Sequence, residues 1–347
     1  MSGATLTSVD DLIAEGLVPS VARESLLQVG DRYAIALNET MAALIDRDDP
    51  ADPIARQFIP DAAELVTTPE ELSDPIGDEP MSPVEGIVHR YPDRVLLKLL
   101  HVCPVYCRFC FRRESVGPGG ATHLSSDALD KAFAYIAAHD EIFEVILTGG
   151  DPLILSLRRL EEIFARLHTV AHVKVVRIHT RVPVVAPEFI SDALVDLLQR
   201  AGKTIYVALH ANHPRELTPQ AQAAFAKVID AGIPMLSQSV LLRGVNDDVE
   251  TLAALMRAFV AARIKPYYLH HPDLARGTSH FRLPVAEGQK LVEALRGKLS
   301  GLCQPRYMLD IPGGFGKVAL DGTAQDKDGR YCLRDFRGRT HLYPPAT

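Results

Sequence analysis

The chain has 347 residues, of which 47% are hydrophobic and 23% charged, a composition typical of a globular protein and unlike that of a disordered or fibrous one. Its formal net charge of -7 provides no overall positive field that would attract nucleic acid or an anionic membrane. No apolar run approaches the roughly 20 residues that span a bilayer, and acidic residues stand near the N-terminus where a signal peptide would carry basic ones. We therefore expect a cytoplasmic protein that binds neither nucleic acid nor membrane.

Residues 1 to about 55 are predicted to be helical. The proline-rich stretch from Pro60 to Pro92 is predicted to be an irregular arm, because proline interrupts helices. Short β-rich runs follow, and they begin near Val95, Glu144, Val173, Thr204, Met235 and Lys265. Amphipathic patterns fill the gaps, with apolar stripes at Leu129, Ala132, Phe133 and Ile136 and at Leu157, Leu160, Phe164 and Leu167. The sequence therefore predicts alternating strands and helices.

This alternation, which repeats about every 30 residues, indicates parallel strands with right-handed crossovers. The sheet is then either doubly wound or a barrel, and six repeats favour a partial (βα)6 barrel of the TIM type. We expect a helical region and arm over 1–85, the barrel over 86–300 and a further segment over 301–347. Ligands bind at the carboxyl ends of the strands in either architecture, where the loops TGGDP, HTR, HANHP, RGVND and HHPD fall.

The first of these strands is followed directly by three of the five cysteines, Cys103, Cys107 and Cys110. A structural zinc site needs four ligands, and Cys303 and Cys332 lie far away in sequence. Three thiolates on a [4Fe–4S] cube would leave one iron open to a small molecule that chelates it through an amine and a carboxylate. The spacing favours the iron–sulfur cluster, with zinc as the alternative.

The CxxxCxxC pattern with Phe109 before its third cysteine resembles the radical S-adenosylmethionine (radical SAM) superfamily. That resemblance implies a partial (βα)6 barrel in which S-adenosylmethionine (SAM) chelates the unique iron. It also implies a glycine-rich loop after the second strand that binds the SAM amino group, matched here by Thr148, Gly149, Gly150 and Asp151. Glycine is expected there because the backbone must approach the ligand without a Cβ atom between them.

Two further segments, HRYPDR from His89 and DIPGGFGK from Asp310, resemble the lysine 2,3-aminomutase family together with HPDLARG. The similarity extends from about Pro60 to Lys317. In that family, the lysine that closes the glycine-rich loop carries pyridoxal 5'-phosphate (PLP) as an internal Schiff base, and Lys317 is its match. A lysine shielded from water has a lowered pKa, which makes its amine available for imine formation.

The resemblance also assigns binding roles around the two cofactors. Arg90, Tyr91 and Arg94 are expected to bind the PLP phosphate, because guanidinium groups match phosphate geometry. Gln238 and His270 are expected to contact a cofactor, and His270 stands where the best-known lysine mutases have a tyrosine.

The substrate-binding positions of the family fall on Arg112, for the carboxylate, and on Asp273 and Asp310, for the distal ammonium. Two carboxylates suit an ammonium, whereas a glutamate mutase should present a cationic or amide pair. The resemblance therefore implies conversion of L-lysine to L-β-lysine. In that reaction a 5'-deoxyadenosyl radical takes hydrogen from C3, and nitrogen moves from C2 to C3.

We expect flavodoxin or ferredoxin as the electron donor, and a homodimer. The loop RGVND lacks the cysteine found in longer lysine mutases and only Cys332 remains late in the chain, so we expect no zinc shared between subunits. Several alternatives stay open at this stage: a mutase of glutamate or arginine, a radical SAM enzyme without PLP, and an iron–sulfur sensor or electron carrier.

Overall fold

A computed structural model describes residues 5–117 and 122–320, and also the short ranges 331–334 and 340–343 through their backbone. The helices are α1 Val9–Ala14, α2 Arg23–Arg32, α3 Glu39–Ala42, α4 Pro53–Phe58, α5 Ser126–Ala138, α6 Leu157–Thr169, α7 Val182–Val185, α8 Asp192–Gln199, α9 Pro219–Asp230, α10 Val249–Ala261 and α11 Val285–Leu295. The strands are β1 Ile87–Tyr91, β2 Arg94–Leu100, β3 Glu144–Gly149, β4 Val175–Thr180, β5 Thr204–His210, β6 Met235–Val240, β7 Lys265–His270, β8 Arg306–Ile311, β9 Gly316–Ala319, β10 Tyr331–Arg334 and β11 Thr340–Tyr343.

Strands β1 to β9 form one sheet in chain order, and β10 pairs with β11 in a separate hairpin. The pairs from β2 to β8 are parallel, whereas β1 and β9 join the two ends of the sheet antiparallel. The six strands predicted from the sequence are β2 to β7, which confirms the partial α/β barrel. The parallel strand β8 adds to it, so the sheet continues past the boundary expected at residue 300.

Tyr91 connects the first strand of the sheet to the last. Its hydroxyl accepts a hydrogen bond from the backbone N–H of Lys317 at 2.6 Å. Close approach is possible because the neighbour of Lys317 is Gly316, where a Cβ atom would lie 2.8 Å from that hydroxyl and the backbone has a φ of +88°. The phenol thereby bridges the gap that the backbone ladder leaves open between β1 and β9.

The predicted helix stripes pack against the sheet with one difference. On α5, Leu129 and the other predicted apolar residues are buried, and the Ser125 hydroxyl caps the helix. On α6, Leu160, Phe164 and Leu167 are buried, but the prediction for Leu157 was wrong, because its side chain is 42% exposed. Leu157 is the first residue of its helix.

The N-terminal helical region and the arm pack onto the barrel through one continuous apolar core that runs from Val9 to Tyr307. Polar contacts reinforce this packing: the Asn38 amide donates to the Val185 carbonyl at 2.6 Å, and Arg215 contacts the buried Asp52 at 2.5 Å. The arm predicted from Pro60 to Pro92 contains the short 3-10 turns Ala62–Leu65 and Glu79–Met81, but its end forms strand β1, so the prediction of irregular structure was wrong for Ile87–Tyr91. Among the described residues, no helix has the length and apolar character needed to span a bilayer.

Candidate active site

A cavity of about 520 Å³ opens at the carboxyl ends of the parallel strands, the edge where ligands were expected. All the site residues predicted from the sequence line it: Arg90, Tyr91, Arg94, Cys103, Cys107, Cys110, Arg112, Thr148, Gly149, Gly150, Asp151, Gln238, His270, Asp273, Asp310 and Lys317. The fold therefore brings together segments that are more than two hundred residues apart in sequence.

The three cysteines of the loop after β2 lie at one end of this cavity as free thiols. Burial raises the pKa of each thiol, that of Cys110 to about 11, so a cation must offset the burial before the thiolates form. In the described part of the chain, no three His, Cys, Asp or Glu side chains are placed to hold one metal ion. Three thiolates can hold a [4Fe–4S] cube in which each binds a different iron.

The glycine-rich loop after β3 packs directly on the beginning of the cysteine loop. The Gly150 N–H donates to the Leu100 carbonyl at 2.6 Å, and the Asp151 N–H donates to the Val102 carbonyl at 3.0 Å. A Cβ atom on Gly150 would lie 2.1 Å from the Val102 oxygen. Glycine is therefore required for backbone packing between the two loops, a reason that differs from the approach to a ligand expected from the sequence.

The Asp151 carboxylate binds groups of the protein, whereas the sequence predicted contact with a cofactor. Its buried carboxylate accepts hydrogen bonds from the Leu153 N–H, the Thr180 hydroxyl and the backbone N–H groups of Arg181 and Val182. Burial raises the pKa of Asp151, while these donors oppose the change. Asp151 thus ties the loop after β3 to the loop after β4.

Asp78, a residue of the arm, binds two predicted site arginines at once. Its carboxylate accepts from Arg90 at 3.0 Å and from Arg112 at 2.9 Å and 3.1 Å. Burial alone would raise the pKa of Asp78, but Arg112 and the other nearby cations outweigh burial and hold that pKa below its usual value. Sequence reasoning missed Asp78, which lies in the irregular arm without a pattern to mark it.

Tyr91 and Arg94 form a second polar group on the cavity wall. The Arg94 guanidinium lies over the Tyr91 ring at 3.8 Å and contacts Asp93 at 2.6 Å. Arg177 of β4 also lines the cavity and contacts Glu144 at 3.0 Å. This end of the cavity therefore presents several guanidinium groups, the donors that a phosphate group requires.

Next to Tyr91, Lys317 and Asp310 pair across the β8–β9 turn, with 2.6 Å and 2.5 Å between the ammonium and the two carboxylate oxygens. His270 Nδ1 lies 3.8 Å from the nearer Asp310 oxygen. Burial and the charge of Lys317 lower the pKa of His270 well below its usual value, so the imidazole is neutral. Gln238 contacts His179, at 3.3 Å, on the neighbouring wall.

Asp273 faces the same cavity without a hydrogen-bond or ion-pair partner among the described residues. Burial and the nearby Asp310 carboxylate raise the pKa of Asp273 to about 7, against the opposite effect of Lys317 and Arg112. A cation placed between Asp273 and Asp310 would relieve this repulsion. The two acids thus form the part of the wall that is best suited to an ammonium.

The structure adds cavity residues that sequence reasoning did not single out: Arg177, His179, Arg181, His210, Tyr267 and Tyr268. Arg181 contacts Cys107 Sγ at 2.8 Å. Tyr267 and Tyr268 stack with ring centroids 3.8 Å apart. His179, Arg181 and His210 lie in the loops HTR and HANHP or at the strand ends before them, so their position at the carboxyl edge of the sheet was the available signal.

The lining residues fit the cofactors that the cysteine and lysine patterns imply. Arg177 Nε, His179 Nε2 and His210 Nε2 are buried nitrogen atoms without a hydrogen-bond partner in the described part of the chain. Buried polar atoms usually have partners, so these atoms indicate space for a polar ligand. The three thiols suit an iron–sulfur cluster. The guanidinium groups beside β1 and β4 suit a phosphate, and the amine of Lys317 suits the aldehyde of PLP.

Residues 97–256 match the family model of the radical SAM superfamily. The L-lysine 2,3-aminomutase of Clostridium subterminale is 40% identical over 322 residues, which are 92% of this chain and 77% of the relative. The enzyme of the same name from Fusobacterium nucleatum is 38% identical over 97% of this chain and 80% of the relative. The glutamate 2,3-aminomutase of Clostridioides difficile is 36% identical over 91% of this chain and 74% of the relative.

Proposed function

Because this chain belongs to the lysine 2,3-aminomutase family of the radical SAM superfamily, we propose that it converts L-lysine to L-β-lysine. Membership of this family makes the chain a 2,3-aminomutase, an isomerase that acts on an amino acid. The observation that carries the proposal for lysine is that Asp273 and Asp310 line the same cavity as Lys317 and the three thiols.

We assign the cofactors to the two ends of the cavity. Cys103, Cys107 and Cys110 would hold the [4Fe–4S] cluster with SAM beside Gly149, and Lys317 would hold PLP. When bound, the cluster and SAM supply a 5'-deoxyadenosyl radical, and PLP supplies a ring system that carries the migrating nitrogen. The chain itself positions the reacting groups and excludes water from them.

Substrate recognition follows from the charges on the cavity wall. Arg112, held by Asp78, offers a guanidinium to the substrate carboxylate. Asp273 and Asp310 offer two carboxylates to the distal ammonium of lysine. The distal carboxylate of glutamate would place a third negative charge beside a pair that already repel each other, as the raised pKa of Asp273 indicates.

The phosphate of PLP would bind beside β1. Tyr91 and Arg94 present a phenol and a guanidinium there, and Arg90 is the third group that we assign to the phosphate. Thr148, Gly150 and Asp151 position the SAM loop, and Gln238 and His270 complete the cavity wall. Flavodoxin or ferredoxin is the proposed one-electron donor, and a cytoplasmic homodimer is the proposed state.

The direct test is an assay of anaerobically prepared, reduced holoenzyme with SAM and with lysine, glutamate or arginine in turn. We expect the β-isomer from lysine, identified by chromatography and mass spectrometry. Preferential conversion of glutamate or arginine would contradict the assignment of the two aspartates while leaving the aminomutase activity intact.

Lys317→Ala is the matched variant for the PLP assignment. We expect it to keep the iron content of the wild-type protein and to lose both the isomerisation and the covalent PLP label that borohydride fixes on Lys317. A wild-type protein that binds the cluster but takes up no PLP would instead identify a radical SAM enzyme of another kind.

A further inference from the structure

Arg181, the residue that follows β4, contacts one of the three cluster thiols. Its Nη1 donates to Cys107 Sγ at 2.8 Å, and its side chain is only 6% exposed. Neither the CxxxCxxC pattern nor the resemblance to the family assigned a role to this residue. A guanidinium in such a position is a charged hydrogen-bond donor to the sulfur ligand of a redox centre.

The guanidinium is fixed through its other terminal nitrogen. Nη2 donates to Gln57 Oε1 at 2.7 Å and to Glu216 Oε2 at 2.6 Å, and the plane lies over the Phe58 ring at 4.7 Å. Glu216 is fully buried, and its other oxygen accepts from the backbone N–H groups of Asn212 and His213, both at 2.9 Å. The pair therefore cannot swing away from Cys107 without breaking several buried hydrogen bonds.

The Arg181 guanidinium thus binds both the Cys107 sulfur and the Glu216 carboxylate. Reduction of a [4Fe–4S]2+ cluster to the 1+ state adds one electron, whose charge spreads over iron and sulfur. A hydrogen bond to a cluster sulfur stabilises the reduced state and raises the reduction potential. Glu216 is the neutralising partner that makes burial of the guanidinium tolerable, and it binds a different nitrogen atom from the one that donates to the sulfur.

We propose that Arg181 sets the reduction potential of the cluster through its hydrogen bond to Cys107, with Glu216 and Gln57 as positioning residues. The inference rests on the cluster that the proposed function requires, and it adds the residues that tune it. The electron comes from the low-potential one-electron donor of the proposed function, and no other reactant is needed.

The test is an anaerobic redox titration of cluster-loaded protein, followed by electron paramagnetic resonance. We expect Arg181→Met to lower the potential, with about a tenfold decrease in the ratio of reduced to oxidised cluster at a fixed potential, which is about 59 mV for one electron. Glu216→Gln should raise the potential, because it removes a negative charge and leaves the Arg181 donor in place. Opposite shifts distinguish tuning from a structural role, which would not give the two variants opposite signs.

Two further samples test the role of Arg181 even if the single variants lose the cluster. The double variant Arg181→Met/Glu216→Gln removes both charges together, so it leaves no buried ion unpaired. Because it still lacks the hydrogen bond to Cys107, we expect a potential below that of the wild type but above that of Arg181→Met. Wild-type protein with 15N in its arginine guanidino groups should show a hyperfine coupling to the reduced cluster, and Arg181→Lys should lack it. Arg282→Lys alters a half-buried arginine that pairs with Glu71 and does not line the cavity, so the cluster potential of this variant should equal that of the wild type.

A cluster whose potential is unchanged in Arg181→Met and in the double variant would overturn this inference and leave the aminomutase proposal standing. Absence of the 15N coupling in wild-type protein would overturn it as well. A wild-type protein that assembles no cluster would instead refute the proposed function, and the role of Arg181 with it.

Discussion

The Lys317 ammonium and the Asp310 carboxylate form a two-point ion pair, with Nζ 2.6 Å from one oxygen and 2.5 Å from the other. The two residues are direct register partners of β8 and β9, so the glycine-rich turn between them sets the distance. Lys317 is the proposed attachment point of PLP, and Asp310 is the proposed partner of the substrate ammonium. The ion pair thus shows that a primary ammonium fits against Asp310.

Asp310→Asn is expected to impair recognition of lysine specifically. Loss of one partner of a desolvated charge pair costs about 2 kcal/mol or more, so kcat/KM for lysine should fall by a factor of about 30 or more. Covalent attachment of PLP to Lys317 should persist, because imine formation requires the amine and not the carboxylate. Steady-state kinetics and borohydride trapping measure the two effects.

Norleucine, which lacks the distal ammonium, is the matched substrate for this variant. If it is turned over, its kcat/KM should change little in Asp310→Asn, because no ammonium is present to lose a partner. Asp192→Asn is a control at an exposed aspartate that pairs with Lys227, and it should behave as the wild type. Equal losses with lysine and norleucine would show that Asp310 acts on something other than the ammonium.

Asp273 is expected to impose a pH dependence on lysine binding. Its pKa of about 7 reflects burial and Asp310, partly offset by Lys317 and Arg112. The carboxyl is therefore neutral below that pH and charged above it, so kcat/KM for lysine should rise as the pH increases through about 7. Asp273→Asn should lower the plateau and remove this limb of the profile. A limb that persists unchanged in the variant would assign the titration to another group.

The same raised pKa predicts an effect on stability. A folded-state pKa above the ordinary value of 3.8 means that the folded protein binds the proton more tightly than the unfolded chain does. The stabilisation by this proton is complete below pH 3.8 and is lost as the pH rises toward 7. Asp273→Asn should therefore raise the melting temperature of the cofactor-free protein at pH 8 and leave it nearly unchanged at pH 4. Equal changes at both pH values would contradict a half-buried, unpaired carboxyl with a raised pKa.

The fold was largely predictable because hydrophobic periodicity and repeat length are local signals. The strands β2 to β7 each carry such a pattern. Strand β1 lies at the end of the predicted arm and overlaps the HRYPDR segment, and β8 ends in the glycine-rich segment that begins at Asp310. The arm residue Asp78 was unpredictable, since its role arises only when the arm folds over Arg90 and Arg112. Cys103, Lys317 and Asp310 could be proposed for one site because their motifs resemble those of a family, and all three line the same cavity.

Gly150→Ala is expected to disrupt the packing between the cysteine loop and the loop after β3. The new Cβ atom would lie 2.1 Å from the Val102 carbonyl oxygen, so one of the two loops must move. The iron content of the reconstituted protein should fall well below that of the wild type, and the melting temperature should decrease. Gly301→Ala is the control, because nothing lies within 4 Å of its added Cβ atom. An unchanged iron content in Gly150→Ala would show that the cluster tolerates displacement of these loops.

Glu64→Gln is expected to destabilise the cysteine loop after β2, because Glu64 binds arginines of that loop. Glu64 is fully buried in the arm and binds Arg108, which lies between two of the cysteines, at 2.6 Å, and it also binds Arg113. Removing the charge leaves two buried guanidinium groups without their counterion, which costs about 3 to 5 kcal/mol at pH 7. Urea unfolding measures this loss, and iron should be released to a chelator faster than from the wild type.

The pH dependence distinguishes this ion cluster from simple packing. Burial would raise the pKa of Glu64, but Arg108 and Arg113 outweigh it and hold the pKa below its usual 4.5. The stability that Glu64 contributes is thus present above pH 4.5 and is lost as the pH falls through the lowered folded-state pKa. The difference between Glu64→Gln and the wild type should shrink in that acid range. Glu162→Gln, at an exposed pair with Arg159, is the control, and it should lower the free energy of unfolding by less than about 1 kcal/mol at any pH. If the loss of unfolding free energy in Glu64→Gln stayed constant into the acid range, the charge of Glu64 would not be its cause.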